Sequence, residues 1–251
     1  MVKITKAILP IAGRGTRFLP LSRVLPKEIW PLLDKPVIQY IAEEALASGI
    51  KKIIFITRPE KKLILDYFSG QKLPFETVNQ NKPSGDGHAV LQAKSLIKNE
   101  PFAVLFGDDV VDSKTPCLSQ LIKVFQKYQK PVIALYRLPK EKLPSYGIVG
   151  VEKIGAKVYK IKKIIEKPSI KEALSNLAIV GKYIFTPEIF KYLAEAKPGF
   201  KGEIILAEIL TKMIADGKEI LGVEFEGKWL ECGSKEKWID SFLYLAKKPR
   251  W

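Results

Sequence analysis

The sequence is poor in the residues that most often build redox sites and transition-metal sites. Of its 251 residues only Cys117 and Cys232 are cysteines, and His88 is the single histidine. The two cysteines are far apart and neither belongs to a C-x-x-C pair, so the spacing indicates neither a disulfide framework nor a zinc site. We therefore expect both cysteines to fill the core. A single histidine excludes a mechanism built on a histidine pair and a histidine-rich metal site.

Long apolar runs are also missing. No stretch approaches the about 20 consecutive apolar residues that a membrane-spanning helix needs, and the first residues lack the pattern of a signal peptide. An apolar content of 47% and a mean hydropathy of +0.01 are typical of a globular protein in water. We therefore expect a cytoplasmic protein with no membrane partner, and the length suits one domain with a well-buried core.

Acidic residues are in the minority, with 27 Asp and Glu against 42 Lys and Arg, which gives a formal net charge of +15. Such a balance favours nucleic acids, acidic lipids or phosphorylated substrates as partners. The lysines are scattered and do not cluster with aromatic residues, as a base-stacking surface would require. We therefore expect small polyanionic substrates and no nucleic-acid partner. RNA binding remains an alternative that only the charge supports.

Strand-like and helix-like segments alternate through the first half of the chain. Apolar segments typical of buried strands occupy residues 7–11, 52–57, 102–106 and 132–136. This alternation predicts an α/β fold of the Rossmann-like, doubly wound kind, with a mostly parallel, mixed sheet covered on both faces. From residue 146 the alternation around glycines predicts a small antiparallel extension. We also expect a helix over 203–215, a strand pair near 221–230 and a final helix over 235–247.

The loop after the first strand is the most informative segment. It reads A-G-R-G-T-R over residues 12–17 and is followed by P-K-E over residues 26–28. Glycines let phosphate oxygens approach backbone N–H groups, Arg17 can fork across two such oxygens, and Lys27 supplies a compact charge. A Gly-x-Gly pair alone is more often an ordinary turn, and the segment matches neither the dinucleotide fingerprint nor the P-loop. The combination with Arg17 and Lys27 predicts a triphosphate site.

The whole pattern resembles that of the sugar-1-phosphate nucleotidyltransferases. Their loop reads G-x-G-T-R-x-x-P and is followed by P-K-E, and the strings L-L-D-K-P-V-I-Q-Y (32–40) and S-N-L-A-I-V-G-K-Y (175–183) are similar to those of the uridylyltransferase branch. This resemblance implies an enzyme that makes UDP-glucose and pyrophosphate from UTP and glucose 1-phosphate with the help of Mg²⁺. It also implies that residues 1–140 mainly bind the nucleotide and residues 141–251 mainly bind the sugar phosphate.

The resemblance assigns roles to individual positions, each of which matches a motif of the family. It implies four catalytic residues, which are Arg17, Lys27, Asp108 and Lys167. It implies a nucleotide site formed by Ala12, Gly13, Gly15, Thr16, Gln80 and Gly85. It implies a sugar site formed by Gly147, Glu166, Lys167 and Ile179. His88 falls in the G-H-A segment of the family, and we expect it to have a structural role.

A metal site is expected where the strand at 102–106 ends, because ligands of open α/β sheets collect at the carboxyl ends of strands. Mg²⁺ prefers one or two carboxylates together with substrate phosphates. The residues alone leave Asp108 and Asp109 as alternatives, and the resemblance favours Asp108. The second family ligand lies in a D-x-G element, which here reads E-C-G, so Glu231 becomes the second expected ligand.

Two further alternatives remain open at this point. The enzyme could use another nucleoside triphosphate, such as dTTP, or another sugar 1-phosphate. The exchange of aspartate for Glu231 also allows a catalytically weakened regulator that binds sugar nucleotides without turnover. We further expect a homo-oligomer, although segments that often contribute to subunit contacts are short in this chain.

Overall fold

The computed structural model describes residues 2–71, 73–82, 84–199 and 202–248. These described ranges contain thirteen strands: β1 Lys6–Pro10, β2 Pro31–Leu32, β3 Lys35–Pro36, β4 Lys52–Thr57, β5 Phe75–Asn79, β6 Phe102–Leu105, β7 Asp109–Asp112, β8 Val132–Arg137, β9 Gly147–Gly155, β10 Val158–Glu166, β11 Leu177–Phe185, β12 Leu221–Glu224 and β13 Lys228–Glu231. The eight α-helices are α1 Val37–Ala47, α2 Lys62–Ser69, α3 Asp86–Gln92, α4 Lys94–Ile97, α5 Cys117–Tyr128, α6 Ile189–Glu195, α7 Leu206–Ala215 and α8 Lys235–Ala246.

Nine of the strands form one continuous sheet with the order β5-β4-β1-β6-β11-β8-β12-β10-β9. The strands β5, β4, β1 and β6 run parallel to one another. Alternate residues of β1 point to opposite faces, so Ala7 and Leu9 join one apolar cluster and Ile8 joins the other. All three side chains are fully buried because helices cover both faces. The predicted doubly wound α/β architecture is confirmed.

The second half of the sheet is mixed. β11 lies between β6 and β8 and runs antiparallel to both, β8 and β12 are parallel, and β9 and β10 form an antiparallel hairpin at the edge. The predicted antiparallel strands are therefore present, and one of them lies in the middle of the sheet. This arrangement brings the end of β10 and the start of β11 to the same side as the carboxyl ends of β1 and β6.

The expected strand pair near residues 221–230 is wrong in its pairing. β12 joins the central sheet between β8 and β10, whereas β13 pairs with β7 in a separate antiparallel ribbon. The indole of Trp229 in β13 is buried and donates from Nε1 to Asp109 at 2.8 Å, which anchors β13 beside β7. The ribbon places Glu231 opposite Asp109 and brings the C-terminal region next to the end of β6.

Other differences concern helix ends and the core. The helix expected over 203–215 begins only at Leu206, so Glu203 lies in the preceding loop. Cys117 and Cys232 are free and buried, as the sequence predicts. Within the described ranges no helix is both long and apolar enough to cross a membrane.

Candidate active site

The loop after β1 carries the first site residues. Gly15 takes a left-handed conformation with φ +64°, which suits glycine. Short 3-10 turns follow at Thr16–Phe18 and Leu21–Arg23, and a third at Lys27–Ile29 presents Lys27. The loop therefore lies across the carboxyl end of the sheet, where β6 also ends.

Four charged side chains from three distant parts of the chain meet there. The ammonium group of Lys27 donates a hydrogen bond to Asp108 Oδ2. A Cβ atom built on Gly233 would lie 3.1 Å from Asp108 Oδ2, 3.3 Å from Glu231 Oε1 and 3.6 Å from Arg17 Nη1. The structure thus brings together Arg17, Lys27, Asp108 and Glu231, which we name the charged cluster.

Lys27 and Asp108 form the ion pair at the centre of the charged cluster, and each group stabilises the charged form of the other. Burial alone would raise the pKa of Asp108, but Lys27 and then Arg17 outweigh burial and hold this pKa below its ordinary value. Burial likewise opposes the charge of Lys27, whereas Asp108 and then Glu28 outweigh it and raise the pKa of Lys27. Both groups are therefore charged at neutral pH, and their field is in place before any ligand arrives.

Glu231 is held from two sides. The hydroxyl of Tyr146 donates to Oε2, and Lys237 Nζ donates to Oε1 at 2.7 Å. Lys237 Nζ also lies 4.4 Å from the centroid of the Tyr146 ring. Burial, followed by the Glu231 carboxylate, raises the pKa of Tyr146 well above its ordinary value, so this hydroxyl stays a donor. These contacts orient the longer side chain of glutamate at the position where the family pattern has aspartate.

Asp109, the alternative metal ligand of the sequence analysis, is engaged by the protein. Its Oδ1 accepts from Trp229 Nε1 at 2.8 Å and its Oδ2 accepts from the Gly181 backbone N–H at 3.0 Å. Burial first, and then the nearby Asp108 and Glu231 carboxylates, raise the pKa of Asp109 to about 7. Its side chain therefore ties β7 to β11 and β13 beneath Asp108.

A cavity of about 490 Å³ opens on one side of the loop. Its lining consists of Pro10, Ala12, Gly13, Arg14, Thr16, Gln80, Gly85, Asp86, Ala89 and Glu203. Five of the six residues expected in the nucleotide site therefore share this cavity. The sixth, Gly15, instead packs beside Ser22 and Lys27, where a Cβ atom would lie 3.4 Å from Ser22 Cβ. We call this space the first cavity.

The amide of Gln80 has a fixed orientation in the first cavity. Its Nε2 donates to the Gly85 carbonyl at 3.1 Å and contacts His88 Nδ1 at 2.8 Å. Since a carbonyl oxygen can only accept, the amine must face it, and His88 Nδ1 must then accept as well. The imidazole proton accordingly lies on Nε2, 3.1 Å from the Gln92 amide nitrogen Nε2, so the Gln92 amide must be turned over for its oxygen to accept that proton. His88 thus orients Gln80, and Gln80 Oε1 has no partner among the described residues.

A second cavity of about 690 Å³ contains the remaining predicted residues except Lys27, which lies beside it through its contact with Asp108. Its lining includes Arg17, Asp108, Gly147, Glu166, Lys167, Ile179 and Glu231. Thr16, Asp86 and Glu203 line both cavities, so the two spaces adjoin along these residues. All the residues expected in the sugar site share the second cavity with three members of the charged cluster.

The end of β10 positions Glu166 and Lys167 in the second cavity. Glu166 pairs with Gly147 across the hairpin, and a Cβ atom on Gly147 would lie only 3.0 Å from Glu166 Oε2. Lys167 has φ +48°, and its backbone N–H donates to the Tyr146 carbonyl at 3.0 Å. Its side chain is 65% exposed, and the ammonium group lies 3.8 Å from Glu166 Oε1, so the two predicted sugar-phosphate residues form an ion pair at the surface of the cavity.

Sequence reasoning missed Asp86, Lys237 and the contact of Tyr146 with Glu231. Asp86 lines both cavities, Tyr146 binds Glu231, and Lys237 completes that contact. Lys237 reads as a solvated lysine near the start of a helix, and no local pattern marks it. Asp86 offered one signal, because an acid stood between two glycines directly before the G-H-A segment.

The residues present suit a divalent metal ion that completes its coordination with ligand oxygens. Asp108 and Glu231 present hard oxygen donors to the same space beside Gly233. No group of three or more His, Cys, Asp or Glu side chains in the described ranges could enclose a metal ion. A site of two carboxylates therefore depends on phosphate oxygens and water for the rest of its shell.

The sheet, the two adjoining cavities and the charged cluster define an α/β protein whose charged site, at the carboxyl end of the central sheet, suits phosphorylated ligands. The chain belongs to the nucleotidyl transferase family, because the sequence model of that family matches residues 6–248. The predicted family membership is confirmed. Enzymes of this family generally use a divalent metal ion.

Known relatives align with this chain over nearly their whole length. The UTP--glucose-1-phosphate uridylyltransferase of Bacillus subtilis (strain 168) is 38% identical over 274 aligned residues, which cover 100% of this chain and 94% of the relative. A crystal structure of UDP-glucose pyrophosphorylase complexed with UDP-glucose matches with a TM-score of 0.93 at 38% identity and covers 98% of this chain and 100% of that one. UTP-bound UGPase from Acinetobacter baumannii matches with a TM-score of 0.86 at 30% identity and covers 99% and 95%.

Proposed function

We propose that the protein transfers a uridylyl group from UTP to glucose 1-phosphate and so makes UDP-glucose and pyrophosphate. The observation that carries this proposal is that two cavities adjoin, and that the second of them also contains Arg17, Asp108 and Glu231 of the charged cluster. One cavity has the residues that the family uses for a nucleotide, and the other has those that it uses for a sugar phosphate. The names of the relatives support UTP and glucose 1-phosphate as the substrates.

The fixed amide of Gln80 supports a uracil base. Gln80 Oε1 is an acceptor without a partner in the described part of the chain, and uracil offers a donor at its N3–H group. Cytosine has an acceptor at the same position, so two acceptors would face each other. Burial makes such a mismatch costly, because an unpaired polar group inside a protein costs about 1–3 kcal/mol. This contact favours UTP over CTP but does not separate UTP from dTTP.

The reaction needs no general base. A phosphate oxygen of glucose 1-phosphate is already ionised near neutral pH and attacks the α-phosphorus of UTP in line, and pyrophosphate leaves. In this proposal Lys167 holds the attacking phosphate and Glu166 accepts from hydroxyls of the sugar. Arg17 and Lys27 neutralise the charge that develops on the leaving group. By analogy with a single oxyanion donor, each such group contributes roughly 3–4 kcal/mol of transition-state stabilisation.

We assign Mg²⁺ to the oxygens of Asp108 and Glu231. When bound, the ion supplies positive charge that offsets the repulsion between two polyanionic substrates. Lys27 donates to Asp108 Oδ2, which is one of the oxygens that would hold the ion. The Lys27 ammonium group would also bind the triphosphate.

Several sequence-based expectations stay predictions within this proposal. Residues 1–140 would mainly serve the nucleotide, and residues 141–251 would mainly serve the sugar phosphate. The protein would act in the cytoplasm as a homo-oligomer. Pyrophosphate would be the second product, and the reverse reaction would consume it.

The proposal is tested by measuring pyrophosphate release with UTP, dTTP, CTP and ATP, each offered with glucose 1-phosphate or galactose 1-phosphate. We expect UTP with glucose 1-phosphate to give the highest kcat/KM. Asp108→Asn and Arg17→Ala should each reduce kcat by roughly a hundredfold or more. The matched control is Arg23→Ala, because Arg23 is exposed on the same loop and lines neither cavity. If the protein binds UDP-glucose but releases no pyrophosphate, the result would instead support the alternative function, a regulator that binds sugar nucleotides without turnover.

A further inference from the structure

Asp86 occupies the junction of the two cavities and has no role in the proposed chemistry. It is the first residue of α3 and lines both spaces. Its Oδ1 accepts from the backbone N–H groups of Gly87 at 2.7 Å and Leu206 at 2.8 Å. Its Oδ2 has no partner among the described residues. One oxygen therefore fastens the side chain, and the other is available to a ligand.

The backbone around Asp86 is held tightly. Gly87 N–H donates to the Ile204 carbonyl at 2.9 Å, and Ile204 N–H donates to the Ser84 carbonyl at 2.8 Å. Gly85 has φ +98°, and a Cβ atom there would lie 2.3 Å from the Ile204 carbonyl oxygen. Because the segments at 84–87 and 204–206 are locked together, the Asp86 carboxylate has a fixed place in the cavity wall. A group with a fixed place can discriminate between ligands at little entropic cost.

The charges around the two cavities indicate which part of a ligand Asp86 meets. The phosphate-binding cations Arg17 and Lys167 line the second cavity, and Lys27 lies beside Asp108. Asp86 also lines this second cavity and shares the first cavity with Arg14, but, burial aside, the neighbouring charge that most affects its pKa is the Glu166 carboxylate, and Glu203 lines both cavities with it. A carboxylate repels phosphate oxygens and accepts from hydroxyl groups. The acidic junction therefore suits an uncharged, hydroxyl-rich part of the ligand.

We propose that Asp86 Oδ2 accepts a hydrogen bond from a sugar hydroxyl of the bound ligand, either on the ribose of the nucleotide or on the hexose. Asp86 is thus a specificity-determining residue for the proposed uridylyl transfer, on which this inference rests. The contact rejects a ligand that lacks the hydroxyl, because the carboxylate is then buried without its partner. Hydrogen bonds to charged groups are stronger than those between neutral groups, so the loss is measurable.

The variant Asp86→Asn separates a ligand contact from a structural role. Asparagine keeps an oxygen for the Gly87 and Leu206 N–H groups and replaces Oδ2 with an amine that cannot accept. We expect this variant to melt at a temperature no lower than that of the wild type and to lose roughly tenfold to a hundredfold in kcat/KM with UTP and glucose 1-phosphate. Asp66→Asn, at an exposed position of α2, is the matched control and should behave like the wild type. Asp86→Ala removes both backbone contacts and reports the structural contribution.

Deoxy analogues identify the hydroxyl. The ribose arm uses 2′-deoxy-UTP and 3′-deoxy-UTP, and the hexose arm uses glucose 1-phosphates that lack one hydroxyl at a time. With the analogue that lacks the partner hydroxyl, wild type and Asp86→Asn should have equal kcat/KM, and every other analogue should preserve the difference. The inference is overturned if Asp86→Asn matches the wild type with the full substrates, or if its defect persists with every analogue. Should the wild type show no turnover, the proposed uridylyl transfer fails, and the same comparison made on UDP-glucose binding still decides the role of Asp86.

Discussion

Lys61 and Glu28 form a buried ion pair directly after the catalytic candidate Lys27. Lys61 Nζ lies 2.8 Å from Glu28 Oε1 and 2.7 Å from Oε2, and the two side chains are only 4% and 2% exposed. Burial lowers the pKa of Lys61, although Glu28 opposes that shift. The pair links the turn that presents Lys27 to the start of α2, so the position of Lys27 depends on a contact outside the cavities.

Breaking that pair should destabilise the protein strongly. Lys61→Met leaves the Glu28 carboxylate buried without a partner, and we expect a loss of about 3–5 kcal/mol in the free energy of unfolding. The double variant Glu28→Met with Lys61→Met should recover most of this loss, because no charge remains buried. Denaturant unfolding of the two variants measures both values. Equal destabilisation by the single and double variants would show that the charge pair is not the cause.

Gly13 and Gly85 both line the first cavity, but alanine should affect them differently. At Gly85 the backbone has φ +98° and a Cβ atom would strike the Ile204 carbonyl, so Gly85→Ala should cost about 2 kcal/mol or more in stability.

A Cβ atom on Gly13 would meet no atom within 4 Å. We therefore expect Gly13→Ala to change stability by less than about 0.5 kcal/mol and to raise the KM for UTP. Thermal unfolding and initial rates check the two expectations, and an unchanged KM in Gly13→Ala would contradict the second.

Metal dependence should reveal the role of Glu231. Glu231→Gln removes the charge, and we expect the Mg²⁺ concentration that gives half-maximal activity to rise roughly tenfold or more. Glu231→Asp restores the D-x-G element of the family and should keep activity, whereas Tyr146→Phe removes only a donor to Glu231 and should cause a smaller shift. The measurement is a Mg²⁺ titration of turnover for all four proteins. Identical titration curves for the wild type and Glu231→Gln would exclude Glu231 as a ligand.

Stability should depend on pH through Asp86. Burial raises its pKa to about 6 in the folded protein, although the Gly87 and Leu206 N–H groups oppose the shift, and the ordinary value is 3.8. Between pH 4 and pH 6 the unfolded chain therefore loses this proton first, so stability falls as the pH rises, by an amount on the order of 3 kcal/mol, and then levels off. Asp86→Asn should lack this component. Urea unfolding from pH 4 to pH 8 gives the difference between the two proteins, and a constant difference would refute the assignment.

The sequence predicts the fold correctly in those regions where the residue pattern is typical of only one kind of structure. The apolar runs of β1, β4 and β6 are buried on both faces, which is the signature of parallel strands under two helical layers. The ribbon of β7 and β13 was not predictable. Both strands are four residues long, and β13 follows β12 so closely in sequence that a hairpin was the natural expectation. The buried indole of Trp229, bound to Asp109, decides the pairing instead.

The residues of the candidate site likewise fall into two groups, those that a local sequence pattern marks and those that no local pattern marks. The glycine loop, Lys27 and the acids after β6 have local patterns that carry phosphate and metal chemistry, so the sequence identified them. The contacts of Tyr146 with Glu231 and of Lys61 with Glu28 join residues 85 and 33 positions apart. No local spacing encodes such contacts, because they arise only when the sheet sets the partners side by side. The sequence does not mark Asp86, because the junction between the two cavities, which Asp86 lines, forms only in the folded protein.

The contacts around Asp108 are completed by a segment that lies late in the chain. Cys232 N–H donates to the Asp108 carbonyl at 2.7 Å, and the neighbouring Glu231 comes from β13, which follows every strand of the main sheet. A nascent polypeptide that has left the ribosome only as far as β12 therefore already has both cavities' glycines and cations but lacks the second carboxylate. If Glu231 has the proposed role, the metal site is complete only after β13 has been synthesised and has paired with β7.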